Sequence, residues 1–354
     1  MILVTGGCGF IGSAFILDWL AQAREPVLNL DLLTYAGHLG NLRQVEGDAG
    51  YRFVRGDIGD AALVASLLRE HRPRAIVHFA AESHVDRSIA GPEAFIQTNV
   101  VGTTRLLQAA HEHWRQLPAE EAAAFRFINV STDEVFGSLE PGEAAFSEKH
   151  AYQPNSPYSA SKAAADHFAR AWHHTFGLPV ITTNCSNNYG PRQFPEKLIP
   201  LMIHNALAGK PLPVYGDGQQ VRDWLHVSDH CAALRTVLEK GVPGQTYNVG
   251  GRSERANLDV VHTICRVLDE ERPGRRHADL VRHVQDRRGH DRRYAIDDRK
   301  IAAELGWKPA VGFEQGIRDT VRWYLANADW VESVTSGAYR RWVEQQYPSI
   351  HAGA

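Results

Sequence analysis

The sequence has few cysteines, and nothing in their spacing suggests a cross-link or a metal site. Its four cysteines, Cys8, Cys185, Cys231 and Cys265, are widely separated, and no Cys-x-x-Cys pair occurs. The 18 histidines offer no set of three ligands at a suitable spacing. These patterns argue against both a disulfide framework and a structural zinc site. We therefore expect buried thiols and no bound metal.

Long apolar runs and a strong net charge are also lacking. No run of about 18 apolar residues occurs, and no basic signal region precedes the first strand-like segment. The formal charge of -3 provides no basic field for nucleic acid or an anionic membrane. We expect a cytoplasmic protein with neither of those partners. At 354 residues, the chain is long enough for a nucleotide domain with a smaller lobe.

A glycine-rich turn follows the first apolar segment. Gly6, Gly9 and Gly12 recur at three-residue spacing between a strand-like and a helix-like segment. This order predicts a dinucleotide site, because glycines let a pyrophosphate approach the amides of the helix N-terminus. The next strand ends at Asp31, an acid that would bind ribose hydroxyls and repel a 2′-phosphate. The pattern therefore favours NAD over NADP, and its spacing resembles that of the extended short-chain dehydrogenase/reductase class.

Strand-like and helix-like segments then alternate along the chain, which requires a parallel sheet. A helix is predicted from Pro92 to Arg115, and the polar stretch 118–124 is interpreted as a surface excursion. The strand-like segments are 2–5, 27–31, 51–58, 75–79, 125–131 and 180–185.

The pattern predicts an α/β fold: a doubly wound parallel (Rossmann) sheet with a smaller C-terminal α/β substrate lobe. Residues 1–185 would form the NAD-binding domain, with 227–250 returning to it. Residues 186–330, where glycine and proline join short elements, would form mainly the substrate lobe. Residues 331–354 would be a C-terminal tail.

The stretch Ser131-Thr132-Asp133-Glu134 allows two interpretations. Ser-x-x-Glu is a helix capping box, so Ser131 and Glu134 could simply begin a helix. Gly137 and Pro141 interrupt the chain soon afterwards, and we expect no helix there. The alternative is a pair of acids at a strand end that serve one ligand.

A tyrosine and a lysine share one face of a predicted helix. Ser156 caps this helix and Pro157 occupies its first turn, so Tyr158 and Lys162 lie one turn apart. The lysine is expected to lower the phenol pKa toward working pH. With Ser131 and Thr132 upstream, the pair resembles the catalytic set of the short-chain dehydrogenases/reductases.

A charged stretch, 286–294, has several arginines. Such runs usually form solvated loops, but Gly289 and the strand-like segment after Tyr294 favour an ordered loop here. Arg222 and Arg287 would then provide forked donors for a diphosphate.

From Ile2 to about Trp323, the sequence resembles the dTDP-glucose 4,6-dehydratase family of that class. The motifs that carry the resemblance are 33–37, 80–88, 131–137, 187–191 and 286–294.

The resemblance implies roles for individual residues. Asp133 would be the acid, Glu134 the base and Tyr158 the redox base, with Lys162 on the nicotinamide ribose and Thr132 beside them. The implied cofactor-binding residues are Gly6, Gly9, Phe10, Ile11, Gly12, Asp31, Leu32, Leu33, Thr34, Asp57, Ile58, Ala80, Ala81, Ser83, Thr98, Tyr158, Lys162 and Asn188. The implied substrate-binding residues are His84, Thr132, Asn187, Lys197, Leu198, Pro213, Tyr215, Arg222, Asn257, Asp286 and His290.

The implied reaction oxidises C4 of dTDP-glucose, eliminates water across C5 and C6, and returns the hydride to C6. It would yield dTDP-4-keto-6-deoxyglucose for deoxysugar or dTDP-rhamnose biosynthesis. Asp133 and Glu134 favour this over a 4-epimerase, which does no elimination; another nucleotide-sugar dehydratase remains an alternative. A non-catalytic NAD-binding sensor is a further alternative, although the catalytic set is intact. The family also implies a homodimer through helices in 99–115 and 157–175.

Overall fold

The computed structural model describes residues 1–287 and 289–335. Arg288, within the charged stretch, and most of the predicted tail, from residue 336 onward, lie outside the described residues. No helix in the described part is long and apolar enough to cross a membrane.

Strands and helices alternate through most of the chain. The strands are β1 (Ile2–Thr5), β2 (Val27–Asp31), β3 (Tyr51–Arg55), β4 (Ala75–His78), β5 (Arg126–Thr132), β6 (Val180–Cys185), β7 (Asn187–Tyr189), β8 (Leu212–Tyr215), β9 (Val221–His226), β10 (Thr246–Val249), β11 (Glu254–Ala256) and β12 (Val281–Val284). The helices are α1 (Phe10–Gln22), α2 (Ala61–His71), α3 (Val85–Ala90), α4 (Glu93–Phe95), α5 (Thr103–Trp114), α6 (Ala119–Ala124), α7 (Pro157–Phe176), α8 (Leu198–Leu207), α9 (Val227–Lys240), α10 (Asn257–Glu271), α11 (Arg299–Leu305), α12 (Phe313–Ala326) and α13 (Ala328–Val334).

The central sheet of the described chain has seven strands in the order β10-β6-β5-β4-β1-β2-β3, and every pair is parallel. Its inner strands are buried on both faces, which explains their nearly continuous apolar sequences. The predicted doubly wound fold is therefore confirmed. The chain reverses direction across the sheet at β1 and β4, and ligands bind at such a switch point in open α/β sheets.

Helices cover both faces of this sheet. On one face, Phe15 and Trp19 of α1 share a core with Leu234 of α9. On the other, Leu67 of α2 and Leu106 of α5 share a second core. Because α9 packs on α1 and β10 joins the sheet beside β6, residues 227–249 lie on the large sheet.

The other sheets of the described chain have the orders β11-β9-β7 and β12-β8. A separate core joins Ile203 of α8, Ile264 of α10 and Ile317 of α12. The two lobes meet at β6 and β7, which adjoin in sequence but belong to different sheets. This junction brings residues of the second lobe to the C-terminal ends of the large parallel strands.

The structure adds detail to two predictions about local structure. The predicted helix from Pro92 to Arg115 is interrupted by a π-helical segment, Ile96–Gly102, between α4 and α5. Such a segment adds a residue to the turn and often lies at a functional site. The polar stretch 118–124 contains a helix, α6, because its alanines and glutamates are good helix formers.

Candidate active site

The turn between β1 and α1 lies at the switch point of the sheet. Gly6 has φ +71°, and a Cβ there would come 2.6 Å from the backbone nitrogen of Ala80, after β4. A Cβ on Gly12 would come 2.3 Å from the carbonyl oxygen of Gly6. Only glycine fits at these two positions. No described side chain caps the N-terminus of α1 at Gly9, so its amides are available to an anionic ligand.

Asp31 is held at the C-terminal end of β2. Its two carboxylate oxygens accept hydrogen bonds from the amide of Cys8 at 2.8 Å and from that of Leu33 at 2.7 Å. The side chain is largely buried, and burial raises its pKa, against the effect of these two amides. The carboxyl group therefore has a defined orientation beside the glycine turn, where the sequence predicted a ribose contact.

A long cleft runs from this turn across the ends of β4, β5 and β6. Of the residues predicted to bind the cofactor, Leu33 does not line the cleft, because its side chain packs on the core around α1. The others that were predicted do line it: Gly6, Gly9, Phe10, Ile11, Gly12, Asp31, Leu32, Thr34, Asp57, Ile58, Ala80, Ala81, Ser83, Thr98, Tyr158, Lys162 and Asn188. Thr132, Glu134, Asn187 and Lys197 line the same cleft, so the two predicted sites are continuous.

A single turn of 3-10 helix, Asp133–Phe136, follows β5 directly, which corrects the expectation that no helix occurs there. Thr132 caps it by accepting a hydrogen bond from the amide of Glu134 at 3.2 Å. Ser131 instead donates to Asp166 at 2.7 Å, so the capping box between Ser131 and Glu134 does not form. The turn takes the backbone out of strand geometry. Glu134 lines the cleft, whereas Asp133 is buried and is not among the residues that line it.

Asp133 and Glu134 have different electrostatic surroundings. Asp133 is 1% exposed, and its Oδ2 has no hydrogen-bond partner among the described residues. Burial, together with the charges of Glu134 and Asp223, raises the pKa of Asp133 well above its ordinary value. Burial also raises the pKa of Glu134, but three neighbouring cations oppose this rise. Asp133 is therefore the group that retains a proton, and Glu134 ionises more readily.

Tyr158 and Lys162 project from the first two turns of α7. The sequence predicted the capping of this helix correctly, because the side chains of Ser156 and Ser159 each bond the other's backbone amide. The amide of Tyr158 donates to Ser88 Oγ at 3.1 Å. Lys162 Nζ donates to the carbonyl of Val130, at the end of β5, at 2.9 Å. Helix and strand thus hold the tyrosine beside the two acids.

The pKa of Tyr158 is not lowered toward working pH in this structure, contrary to the prediction. Burial is the largest effect and raises that pKa well above its ordinary value; Glu134, Cys185 and Asp133 raise it further. Lys162 is itself buried, and burial lowers its pKa. Since desolvation disfavours both charged forms, proximity of the two side chains does not produce a phenolate by itself.

Three cations from distant parts of the chain lower the pKa of Glu134 against the effect of burial: Lys197, Arg222 and Arg287. Arg222 is buried, its guanidinium lies 4.1 Å from the ring centre of Tyr294, and it donates to the carbonyl of Asp291 at 3.0 Å. Arg287 Nε is buried and has no partner among the described residues. An unsatisfied guanidinium donor is the kind of group that a phosphate oxygen would complete.

The remaining predicted substrate residues are distributed across the second lobe. His290 Nδ1 lies 2.6 Å from Asp286 Oδ1, and its ring centre is 5.9 Å from that of Tyr215. Arg287 is 3.7 Å from Asp86, which places this group next to α3. His84 is buried beside the cleft, 3.4 Å from the carbonyl of Glu196. Leu198, Pro213 and Asn257 lie separately, at the start of α8, in β8 and at the start of α10.

Sequence reasoning missed two groups of residues at this site. Glu196 lines the cleft and accepts hydrogen bonds from Tyr35 at 2.9 Å and Arg87 at 3.2 Å, which links both lobes. Asp166 lies behind the cleft, one turn after Lys162. Its spacing from Tyr158 and Lys162 on α7 was visible in the sequence, but its partners on the strands were not.

The parallel sheet, the glycine turn and the Tyr-x-x-x-Lys helix define a member of the extended short-chain dehydrogenase/reductase class. A family model described as GDP-mannose 4,6 dehydratase matches residues 3–320, and the chain belongs to this family. Among the described residues, no group of three or more histidine, cysteine, aspartate or glutamate side chains could hold a metal.

Curated and solved relatives support the predicted resemblance. The dTDP-glucose 4,6-dehydratase of Xanthomonas campestris pv. campestris (strain B100) is 63% identical over 342 residues, which are 96% of this chain and 97% of the relative. The dTDP-glucose 4,6-dehydratase DesIV of Streptomyces venezuelae, solved with NAD bound, is 48% identical with a TM-score of 0.86, covering 94% of this chain and 99% of its own. A UDP-glucose 4-epimerase of Thermus thermophilus, in complex with NAD, is 31% identical with a TM-score of 0.81, covering 92% of this chain and 99% of its own.

Proposed function

We propose that this chain is an NAD-dependent dTDP-glucose 4,6-dehydratase, a hydro-lyase that forms dTDP-4-keto-6-deoxyglucose. The observation that carries the proposal is the pair Asp133 and Glu134 beside Tyr158. A pair with unequal tendencies to hold a proton is what an elimination of water requires. Production of this keto sugar would contribute to dTDP-rhamnose or other deoxysugar biosynthesis.

The cleft fits a dinucleotide cofactor. The uncapped N-terminus of α1 among the described residues, with Gly6 and Gly12 behind it, would hold the pyrophosphate. Asp31 would bind the adenosine ribose, and Lys162 the nicotinamide ribose. When bound, NAD would accept the hydride from C4 of the sugar and later return it to C6.

Each reacting proton has a candidate group in the chain. Tyr158, once ionised, would accept the proton of the C4 hydroxyl as C4 is oxidised. The resulting 4-ketone makes the C5 hydrogen acidic, and Glu134 would remove it. Asp133, which retains its proton through burial and its carboxylate neighbours, would protonate the departing C6 hydroxyl. Water is lost. As the hydride returns to C6, Glu134 would give its proton back to C5, and the proton that Tyr158 took from the C4 hydroxyl would restore Asp133.

The second lobe would hold the nucleotide diphosphate. Arg222 lies on β9 and Arg287 in the loop after β12, and the charges of both guanidinium groups act on Glu134. Their forked geometry suits a diphosphate better than a lysine would. Tyr215, Asp286 and His290 lie beyond Arg287 and would lie near the rest of the nucleotide.

Incubation of the purified protein with dTDP-glucose tests this proposal against its rivals. A dehydratase should form a 4-keto-6-deoxy sugar, detected by mass spectrometry as loss of one water. A 4-epimerase would return a sugar of unchanged mass with inverted C4 stereochemistry, and a sensor would return unchanged substrate. Matched incubations with GDP-mannose and UDP-glucose test the nucleotide preference; turnover of GDP-mannose alone would contradict the proposal.

We also propose that the protein is a homodimer. Four large apolar side chains are exposed on the surface formed by α3, the π-helical segment and α7: Ile89, Ile96, Phe168 and Phe176. An apolar surface of this kind is typical of a subunit interface. Phe168→Glu should give a monomer in analytical ultracentrifugation, whereas Leu39→Glu, at an exposed position outside these three elements, should not. A dimer that persists in Phe168→Glu would place the interface elsewhere.

A cytoplasmic location also belongs to this proposal. All four cysteines are described, buried and unpaired. Free thiols are typical of a reducing compartment, where disulfides do not form. Fractionation of cells that produce the protein should find it with the cytoplasmic enzymes, and recovery from the membrane pellet would contradict this location.

A further inference from the structure

A buried carboxylate lies behind the catalytic residues. Asp166 is on α7, one helical turn after Lys162, and only 4% of it is exposed. Its oxygens accept four hydrogen bonds: from Asn129 at 2.8 Å, Ser131 at 2.7 Å, Tyr152 at 3.1 Å and Asn184 at 3.4 Å. Burial raises the pKa of Asp166, while the charge of Lys162 and the hydrogen bonds from Ser131, Asn129 and Tyr152 oppose that rise. Four donors that converge on one carboxyl group favour its ionised form, because a protonated carboxyl would oppose one of them.

These hydrogen bonds tie α7 to two strands at the point where the site begins. Ser131 immediately precedes Thr132, the residue that caps the turn with the two acids. Asn184, on the neighbouring strand β6, also donates to the carbonyl of Thr132 at 3.1 Å. The position of Thr132 relative to Tyr158 is therefore set through Asp166, since both hydrogen-bonded strands meet the helix there.

Asp166 also determines the charge near Lys162. Burial lowers the pKa of Lys162, whereas Asp166 on the same helix and Cys185 on β6 raise it. His78, which faces Lys162 from β4, has its pKa lowered by burial to about 3 and is neutral. Burial raises the pKa of the Cys185 thiol beyond the working range, so it carries no charge either. Asp166 is thus the anion that balances Lys162 among these described neighbours.

We propose that Asp166 is a positioning residue for the first oxidation step: its carboxylate keeps Lys162 protonated and holds the end of β5 against α7. Asp166 does not touch the cleft and acts through Lys162 and Ser131. The inference rests on the proposed function, because it concerns the step in which Tyr158 accepts the C4 proton. It assigns a role to a residue that the sequence motifs did not single out.

The test uses the holoenzyme and its Asp166→Asn variant. Formation of reduced nicotinamide after mixing with dTDP-glucose is followed by near-ultraviolet absorbance over the neutral and alkaline pH range. The rate falls as pH rises through the pKa of Lys162. We call this fall the alkaline limb of the pH–rate profile. Since loss of the carboxylate lowers that pKa, the alkaline limb of the variant should lie at a pH that is lower by about 1 unit or more. A slower variant with an unmoved limb would show a structural role only and overturn the proposal.

Tyr152→Phe is the matched control, because it removes one donor to Asp166 and leaves the charge in place. Its alkaline limb should stay where the wild-type limb lies. In Asp166→Glu, which retains the charge, the alkaline limb should lie closer to its wild-type position than in Asp166→Asn. A shift of the limb in Tyr152→Phe as large as that in Asp166→Asn would contradict the counter-ion role.

A second readout does not depend on catalysis. Nitrogen NMR of lysine-labelled holoenzyme, with the Lys162 signal assigned by Lys162→Arg, gives the pKa of Lys162 directly. This pKa should be lower in Asp166→Asn than in the wild type and unchanged in Tyr152→Phe. If the pKa of Lys162 shifts but no substrate is oxidised, the proposed function fails and the counter-ion role stands. If substrate is oxidised but the pKa of Lys162 does not shift, the proposed function stands and the counter-ion role fails.

If Asp166→Asn does not fold, the proposal can still be tested on the wild-type protein. Carbon NMR of aspartate-labelled holoenzyme, with Asp166→Glu for assignment, reports the ionisation of Asp166. The carboxyl should be ionised at neutral pH. A protonated Asp166 under these conditions would overturn the proposal, because a neutral group could not balance the charge of Lys162.

Discussion

Replacement of Asp133 by asparagine should separate the two halves of the proposed reaction. The carboxyl is buried, its Oδ2 has no described partner, and its Oδ1 accepts only from Thr132, at 3.2 Å, among the hydrogen bonds of the described residues. Asparagine has the same shape and keeps that acceptor, so we expect the fold around the site to be retained. The change removes the proton that the C6 hydroxyl needs to leave.

The first oxidation should proceed, because Tyr158 and Lys162 are unchanged. Elimination should slow about 10²- to 10⁴-fold, the usual effect of a lost general acid, which corresponds to about 3–5 kcal/mol in the barrier. The variant should therefore accumulate reduced nicotinamide when it is mixed with dTDP-glucose. Stopped-flow absorbance in the near ultraviolet measures this accumulation, and mass spectrometry measures product.

Tyr158→Phe provides the comparison, since it should slow the first hydride transfer and show no accumulation. Product formation at the wild-type rate in Asp133→Asn would refute the assignment of the acid. Absence of both product and reduced cofactor would show that Asp133 is already needed for oxidation. In that case the two carboxyl groups could not have the separate roles that their surroundings indicate.

Three further predictions concern stability and binding. Because the folded-state pKa of Asp133 is raised, the folded protein binds more protons than the unfolded chain above the ordinary pKa of 3.8, so wild-type stability should fall as pH rises above that value. Thermal denaturation of Asp133→Asn should show a smaller loss of stability over the same pH range. An equal loss would contradict the raised pKa. Arg287→Ala should weaken nucleotide-sugar binding about 10- to 100-fold in calorimetry, whereas Arg299→Ala, on the exposed surface, should not. Unchanged affinity in Arg287→Ala would show that Arg287 is not part of the diphosphate site. Gly12→Ala should lower stability by about 1–3 kcal/mol and abolish the NAD content found by mass spectrometry. Gly312→Ala, where no described atom lies within 4 Å of the added Cβ, should retain NAD. Retention of NAD in Gly12→Ala would contradict the role of this turn in binding the pyrophosphate.

The features that the sequence determined are those that depend on neighbouring residues. The glycine spacing around Gly9, the acid Asp31 and the capped helix that carries Tyr158 are short-range patterns, and the structure contains each of them. Alternating strands and helices were sufficient to predict the parallel sheet. The family was predicted from contiguous motifs and is confirmed by the family model and the relatives. The roles of the individual site residues remain predictions.

Local patterns did not determine the electrostatics of the site. The spacing of Tyr158 and Lys162 predicted a lowered phenol pKa, yet burial by distant segments raises it. Likewise, Arg222 and Arg287 are far from Glu134 in sequence and reach it only through the second lobe. A pKa depends on every charge and every dehydrating contact around the group, and most of these belong to other parts of the chain.

The supporting contacts were also decided by tertiary structure alone. Tyr35 and Glu196 are separated by 161 residues, and their hydrogen bond joins the two lobes. Asp166 receives its four hydrogen bonds from β5, β6 and the segment before α7, none of which adjoins it in sequence. Periodicity shows which face of a helix is buried, but the partner of a buried polar group depends on how strands and helices pack. The sequence therefore supplied the candidates for the reacting side chains, and only the folded chain revealed the groups that hold and charge them.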